Sequence, residues 1–592
     1  MTSNSNNKPL TVETTKIKTP WYSQYDSVRS KLEYPTTSMI AVVEGIAEKY
    51  PKYYAYEFMN KNVTYARFIE DVKECAKALK AIGIKENDRV TICLPNCPQG
   101  IIMFYAINMI GAVANMIHPL SSIGEIIFFL TDSKSVAAIT LDQFYSKFEE
   151  IQKTVRLPHL IISSIKDVLS PVMKVGYAVT EGRKIDKIPE DAKIVWWKDF
   201  LKAGASYTGK YKANRKANDP AAILYSGGTT GTTKGILLSN LNFNSLAVQI
   251  IEMAVVYKPG DTMLAVMPIF HGFGLGVCIH SMLANGAKSI LIPRFNIKAY
   301  AKLLKSCKPN FIAGVPTIYE AVLRNKDMEK VDFSFLKGVF SGGDSLSIEL
   351  KKKFDIFLKE HNASTQIREG YGTTECVTAS CLTPYNDNRE GSIGIPFPDT
   401  YYKIVKVDTT DEVPYGEEGE ICLTGPSMMI EYVNQPNETA NTLKKHSDGM
   451  TWLHTGDLGT MDTDGFVYFK QRIKRMIISS GYSIYPSQLE NIIEAHESVL
   501  LSCVIGVSDP YKMQKVKAFV MLKPGVPNDE STKNSLFEHC KRNIAKYSMP
   551  YDIEIRDELP KTLVGKVAYR ILEEEENARI NAKTEEQASC SI

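Results

Sequence analysis

Most of the features that assign a sequence quickly are missing here. The 11 cysteines are odd in number and contain no Cys-x-x-Cys pair, which argues against a disulfide framework and for reduced thiols. Net charge is nearly absent: 70 Lys+Arg against 67 Asp+Glu leave +3, too balanced for a polyanionic partner, so no nucleic acid is expected. The opening residues MTSNSNNKPL carry no apolar signal core, and the chain closes on Ser589-Cys-Ser-Ile592 rather than SKL. Those two absences lead to a cytoplasmic expectation. Without a secretory signal, the Asn-x-Ser/Thr matches at Asn62, Asn362 and Asn437 read as chance. Long apolar runs are short too. Ile101–Ile117 is the longest, about one turn less than a membrane span. It contains Asn108 and Asn115 and runs into His118-Pro119, so a buried core helix is expected.

What remains is ordinary globular composition, 44% hydrophobic and 23% charged over 592 residues, with length alone suggesting roughly four domains. Strand-like and helix-like segments alternate in the N-terminal half. Arg89–Leu94, Ala137–Leu141, Thr262–Met267, Ser289–Pro293 and Gly338–Phe340 read as strands, a pattern that implies a mostly parallel sheet flanked by helices. From about Ile393 the texture changes to short strands between Gly and Pro turns. After Arg472 a compact α+β pattern follows, with strands near Met476–Ser479, Ser502–Gly506 and Val516–Leu522 and a helix over Ser487–Ala495. The expected division is an N-terminal extension over 1–35, a large domain over 36–473, a small domain over 474–572 and an acidic tail over 573–592. Four consecutive glutamates start that tail, which reads as a solvated helix end or as disorder, with no function.

Chemistry concentrates in glycine-rich turns. Tyr225-Ser-Gly-Gly-Thr-Thr-Gly-Thr-Thr-Lys-Gly235 follows the apolar strand Ala221–Leu224. Its glycines let backbone N–H groups approach an anion, its hydroxyls add donors, and Lys234 adds a charge. The Walker A template fails, because Thr233 stands before Lys234 and Gly235 after it. Ser341-Gly-Gly-Asp-Ser-Leu346 is a second such turn. Glu369-Gly-Tyr-Gly-Thr-Thr-Glu375 sets hydroxyls beside a carboxylate, suited to phosphate with Mg²⁺. Trp452-Leu-His-Thr-Gly-Asp457 offers a carboxylate for ribose hydroxyls. Arg472, Ser480-Gly-Tyr-Ser-Ile-Tyr-Pro486 and Pro560-Lys-Thr-Leu-Val-Gly-Lys566 follow in that order.

With these motifs in this order, the sequence resembles the adenylate-forming enzymes: acyl-CoA synthetases, firefly luciferase and peptide-synthetase adenylation domains. The resemblance runs from about Pro20 to Leu572. It is nearest to bacterial long-chain fatty acid–CoA ligases, through Pro20-Trp21, Leu32-Glu-Tyr-Pro35, Ile165-Lys-Asp-Val-Leu169 and the stretch Asp448–Gly459. The fold it implies is α/β: a large multi-subdomain body with mostly parallel sheets and a small β-rich subdomain, plus a small mobile α+β C-terminal domain. The activity it implies is ATP-dependent ligation of a fatty acid, medium to long in chain, to coenzyme A through an acyl adenylate. Ligation of an aryl or other acid, or transfer to a carrier protein, is the alternative; a binding-only pseudoenzyme is disfavoured because the costly residues are all present.

The same resemblance implies roles. Ser226, Gly227, Gly228, Thr229, Thr230, Gly231, Thr232, Thr233 and Lys234 would hold the β- and γ-phosphates of ATP. Thr374 would meet the α-phosphate, with Gly372 and Thr373 in the same turn, and Glu375 would ligate Mg²⁺. Gly342, Gly343 and Asp344 would frame the adenine, Tyr371 stacking on it. Asp457 and Arg472 would hold the ribose. Lys566 would stabilise adenylation by charge and His271 would orient the carboxylate. Lys474 would be a hinge, and Gly481 and Tyr482 would line the coenzyme A tunnel. The acyl pocket is expected near Val315-Pro316 and Gly343. Gly228 and Thr233 depart from the usual Ser and Pro, and Gln471, Arg475 and Glu431 also depart from the family pattern. Expected partners are the small-molecule substrates, with transient membrane contact; a homodimer is one oligomeric option.

Overall fold

The computed structural model describes residues 17–226, 233–479, 482–509, 511–562 and 565–589, with side chains left out at 178, 181, 482, 483 and 581–589. Two large sheets form the body. The first has eight strands, whose spatial order is Glu431–Tyr432, Gly235–Ser239, Pro220–Tyr225, Val113–Met116, Arg89–Cys93, Ala137–Leu141, His159–Ser163 and Val195–Trp196. It is parallel from Pro220–Tyr225 onward, and its antiparallel edge brings the hairpin around the glycine-rich loop next to Glu431–Tyr432. The second has nine strands, with Ile367–Tyr371, Gly338–Gly342, Phe311–Gly314, Thr262–Ala265, Lys288–Leu291 and Tyr54–Phe58 parallel in its centre. The central strands Phe311–Gly314 and Thr262–Ala265 are almost wholly buried, as parallel strands inside a sheet are.

The apolar run that could pass for a membrane helix belongs to the first sheet and to a helix packed on it. It is not one helix: the helix Pro98–Met109 is entirely buried, and a buried strand, Val113–Met116, follows it. Gly111, at φ +78°, makes the break in a backbone region that favours glycine. Both asparagines bond across elements, although the Asn115 Oδ1 is buried without a partner among the described residues. Asn108 donates to Asn240 Oδ1 at 2.8 Å and accepts from Ile40 N at 3.0 Å, and Asn115 donates to Thr91 Oγ1 at 2.8 Å. Among the described residues no helix is long and apolar enough to cross a membrane.

A third, five-stranded antiparallel sheet joins Tyr401–Val405, Gly419–Thr424, Thr451–Met461, Leu443–Lys445 and Val467–Arg472. A fourth comprises Ile477–Ser479, Tyr482–Ile484, Val499–Asp509, Met513–Leu522 and Asp552–Ile555, with the helices Pro486–Glu494 and Glu530–Asn543. The last helix, Tyr569–Ser589, runs through the 572/573 position without a break. Its glutamates are not simply solvated. Glu576 is buried and pairs with Lys517 at 2.8 Å, which also meets Glu554 at 2.8 Å and Asp552 at 3.2 Å. A buried ammonium needs such partners, so the acidic run anchors the helix to the fourth sheet. The Arg475 and Gln471 departures are packed as well. Arg475 bonds Glu490 and stacks over Tyr569 at 4.7 Å, and Gln471 accepts from Ser487 N at 3.2 Å.

Candidate active site

Parallel strands present ligand-binding turns at their C-terminal ends. Gly342 ends one strand of the second sheet and Tyr371 ends its neighbour, paired through Gly342↔Gly370. The chain leaves Tyr371 through Gly372 and Thr373 into the short turn Thr374–Cys376, which Thr373 caps. Val377 then takes φ +66°, a strained conformation for a β-branched residue. A side chain on Gly272 would begin 1.7 Å from the Val377 carbonyl oxygen. Only glycine allows that approach, which locks the His271 turn against the Glu375 turn.

Asp457 and Arg472 are register partners on adjacent strands of the third sheet. Their side chains meet at 3.1 Å (Arg472 Nε to Asp457 Oδ1), and the Tyr371 hydroxyl donates to Asp457 Oδ2 at 2.7 Å. Asp457 is fully buried, and burial raises its pKa against the opposing pull of Arg472. The Tyr371 ring itself lies 6.1 Å from Phe469.

The small domain contributes Lys566. Its loop is docked on the body: Thr317 Oγ1 donates to Gly565 O at 3.3 Å, and Lys566 Cε lies 3.7 Å from where a side chain on Gly343 would start. Burial pulls the Lys566 ammonium pKa down, Arg472 adds to that, and Asp344 and Asp457 oppose it. His271 is pushed down to about 3, by burial first and then by Lys566. It is neutral near pH 7, and Phe273 N donates to its Nδ1 at 3.2 Å. That bond leaves the proton on Nε2, making this nitrogen a neutral donor.

Lys234 ends the glycine-rich loop, whose neck closes through Ser226 N to Lys234 O at 3.2 Å and Lys234 N to Ser226 Oγ at 3.3 Å. Its ammonium bonds Glu438 and lies 4.7 Å over the Tyr432 ring. The Tyr432 hydroxyl in turn donates to Glu375 Oε1 at 2.7 Å. Tyr432 and Glu438 escape sequence reasoning. Their only signal is the Glu431-Tyr432 departure, and no spacing ties it to Glu375. Glu431 itself is exposed on an edge strand, and nothing in the structure explains the substitution. Gly227 to Thr232 and Gly481 fall outside the described residues, as does the side chain of Tyr482. Lys474 sits in the turn Ile473–Arg475 between the third and fourth sheets.

An apolar cavity of about 640 Å³, open mouth included, starts at Gly342 and Gly343. It runs between the second sheet and the helix Asn240–Ala254, reaching Ala254, Tyr257, Met263 and Phe311. Gly343 is on its wall as expected. Val315 is not: its side chain packs toward Gly343 and Gly565, on the Lys566 side. Phe311 pairs with Gly338, four residues before Gly342 on the adjoining strand, so the lining extends along about 13 Å of strand at ~3.3 Å per residue.

The described geometry therefore gathers Lys234, Glu375, Tyr371, Asp457, Arg472, Asp344, His271 and Lys566 around the mouth of that cavity. A carboxylate oxygen at Glu375 suits a hard divalent cation such as Mg²⁺, and the Tyr432 bond holds it in place.

Residues 43–433 match the AMP-binding enzyme family, and residues 488–566 match the AMP-binding enzyme C-terminal domain. A long-chain-fatty-acid–CoA ligase of Bacillus subtilis (strain 168) is 32% identical over 95% of this chain and 99% of its own length. A probable 4-coumarate–CoA ligase of Dictyostelium discoideum is 28% identical over 86% of this chain and 90% of its own. Among solved structures, an anthranilate CoA ligase in complex with anthranoyl-AMP superposes with a TM-score of 0.80 at 23% identity, covering 93% of this chain and 99% of its own. That likeness supports the fold, and the family matches span both the body and the small domain. The chain belongs to the AMP-binding enzymes.

Proposed function

We propose that this protein activates a fatty acid with ATP and ligates it to coenzyme A, releasing AMP and pyrophosphate. The observation that carries the reading is a deep apolar cavity opening on a cluster of cations and a divalent-cation carboxylate, in a chain 32% identical to a long-chain-fatty-acid–CoA ligase over nearly its whole length. The chemistry follows from charge. A carboxylate attacking the α-phosphate of ATP brings two anions together, so donors and cations must be fixed where charge develops. Lys566, drawn into the site by the docked small domain, neutralises the attacking oxygen and the α-phosphate. Thr374 donates to the same phosphate. His271 Nε2–H orients the carboxylate. Lys234 exchanges Glu438 for the β- and γ-phosphates, while Asp457, clamped by Tyr371 and Arg472, accepts the ribose hydroxyls. Mg²⁺ held at Glu375 would supply charge neutralisation on the phosphates.

The second half-reaction follows from the position of Lys474. A turn between the third and fourth sheets is where the small domain, 474–572, can rotate, withdrawing Lys566 and admitting the 481–482 segment for thiol attack. The length of the cavity lining sets the substrate. At about 1.2 Å per bond along an extended chain, 13 Å accommodates about eleven carbons beyond the carboxyl, a medium-to-long fatty acid. Pyrophosphate release across acids of C4 to C18, coumarate and benzoate, with and without coenzyme A, tests this. The expected result is thioester formation with an optimum near C12 or above. An aryl optimum, or turnover indifferent to coenzyme A, would overturn it.

A further inference from the structure

The β-rich third sheet holds a cluster that the reaction does not use. Cys422 and His454 face each other as register partners on antiparallel strands, and His446 reaches them from the turn after Leu443–Lys445. All three are buried, and their ligating atoms lie within 4.8 Å of one another. The two Nε2 atoms are 2.9 Å apart. We propose that Cys422, His446 and His454 bind one divalent transition-metal ion of the zinc class, which clamps this sheet.

Three observations support it. First, hydrogen bonding explains the burial of His446 poorly: its one bond is to another histidine, and its Nδ1 is buried without a partner among the described residues. A buried imidazole normally satisfies both nitrogens. Second, His454 is oriented as metal ligands usually are. Its Nδ1 meets Glu420 Oε2 at 2.7 Å, which turns the Nε2 lone pair toward the cluster, and Glu420 Oε1 is fixed by Gly456 N at 2.9 Å. That is the carboxylate–histidine arrangement seen behind metal sites.

Third, the charge left over is small. Lys403 stands on the same face, its ammonium held by Asp448 at 2.9 Å and over the Trp452 ring at 4.0 Å. Glu420, Asp448, Lys403 and Lys444, the charged groups that act on Cys422 and His446, sum to zero. A divalent ion adds two positive charges and the Cys422 thiolate removes one, leaving a single positive charge. Binding releases the thiol proton to solvent. With Zn–N near 2.0–2.1 Å and Zn–S near 2.3 Å, tetrahedral donors sit about 3.3–3.6 Å apart, so the cluster needs movements of about 1 Å. Asp457 lies three residues beyond His454 on the same strand, so the ion would stiffen the support of the nucleotide site without joining its chemistry.

The test uses the full-length protein, stripped with a chelator, dialysed and titrated with Co²⁺ and then Zn²⁺. One equivalent of Co²⁺ should bind with a thiolate-to-cobalt charge-transfer band, and Zn²⁺ should displace it and raise the melting temperature. Ions at Glu375, an oxygen site, give no such band. Cys422→Ser should abolish the band, and His446→Gln should weaken binding at least tenfold. If Cys422→Ser does not fold, His446→Gln decides alone. The proposal fails if the wild type shows no band, or if the band and affinity in His446→Gln equal the wild type; the two imidazoles are then a hydrogen-bonded pair.

Discussion

Replacing Ala254 by Phe should shorten the acid that the enzyme prefers. Ala254 ends the helix along the cavity and is 4% exposed, close to Tyr257, whose ring stacks on Phe311 at 6.3 Å. These residues mark the deep end, about 13 Å from Gly342 by strand register. A ring projecting there removes room for roughly the last four methylenes of a C12 chain, and for more of a longer one. Each buried methylene contributes about 0.8 kcal/mol, so about 3 kcal/mol of binding is lost for long acids. That corresponds to a roughly 200-fold fall in kcat/KM at 1.36 kcal/mol per decade. An eight-carbon acid ends short of the new ring and should change less than about threefold, the scale of an untouched contact. The assay is coenzyme A-dependent AMP release with C8, C12 and C16 acids, alongside a melting curve to show that the fold survives. An unchanged C16/C8 ratio in a folded variant would refute the placement of the acyl chain.

Other outcomes follow from the same geometry. Lys566→Ala should slow acyl-adenylate formation about 10³-fold, since charges ~4 Å apart at an effective dielectric near 20 interact by about 4 kcal/mol. Thioester formation from supplied acyl-AMP should persist, and equal loss of both steps would remove Lys566 from that role. Tyr432→Phe deletes the hydroxyl on Glu375 while keeping a ring beneath Lys234. KM for Mg·ATP should rise about tenfold, from ~1.5 kcal/mol for a hydrogen bond to a charged group, and an unchanged KM would detach Tyr432 from the metal carboxylate. Acid should weaken the Lys517 cluster. Glu554 is held down at about 2, where its hydrogen bonds to Lys517, Arg556 and Arg579 outweigh burial, and Glu576 is lowered for the same kind of reason. Carboxylates depressed in the folded state give stability above their unfolded pKa of ~4.3 and lose it as pH falls through the folded value. The melting-temperature gap between wild type and Lys517→Met should therefore be largest at pH 6 and shrink steadily between pH 4.5 and 2. A gap constant with pH would contradict the pairing.

What could be read from the sequence was what local chemistry specifies. Ala137–Leu141 is a strand at the residues expected, because an uninterrupted apolar run between turn signals has few alternatives. The turns at Ser341–Asp344 and Glu369–Glu375 end neighbouring strands, as glycine beside hydroxyl and carboxylate residues suggested. Ile101–Ile117 reads as one buried helix where the structure has a helix and a strand, since both are apolar throughout and only Gly111 marks the change. The Glu573–Glu576 run looked solvated because its counter-charge, Lys517, is some sixty residues away in sequence and near only in space. The cavity was least legible. Ala254, Met263 and Phe311 come from a helix and two strands, and nothing in their spacing separates a ligand wall from a core. Tyr432 reaches Glu375 across 57 positions, a distance no motif spans.

The most direct test of the account is the fate of the carboxylate oxygen. With a C12 acid labelled with ¹⁸O in both carboxyl positions, ATP, Mg²⁺ and coenzyme A, attack on the α-phosphate carries one carboxyl oxygen into AMP when the thiol displaces it. Mass spectrometry should find one ¹⁸O per AMP released. Unlabelled AMP, or ADP with labelled phosphate, would contradict activation through an acyl adenylate.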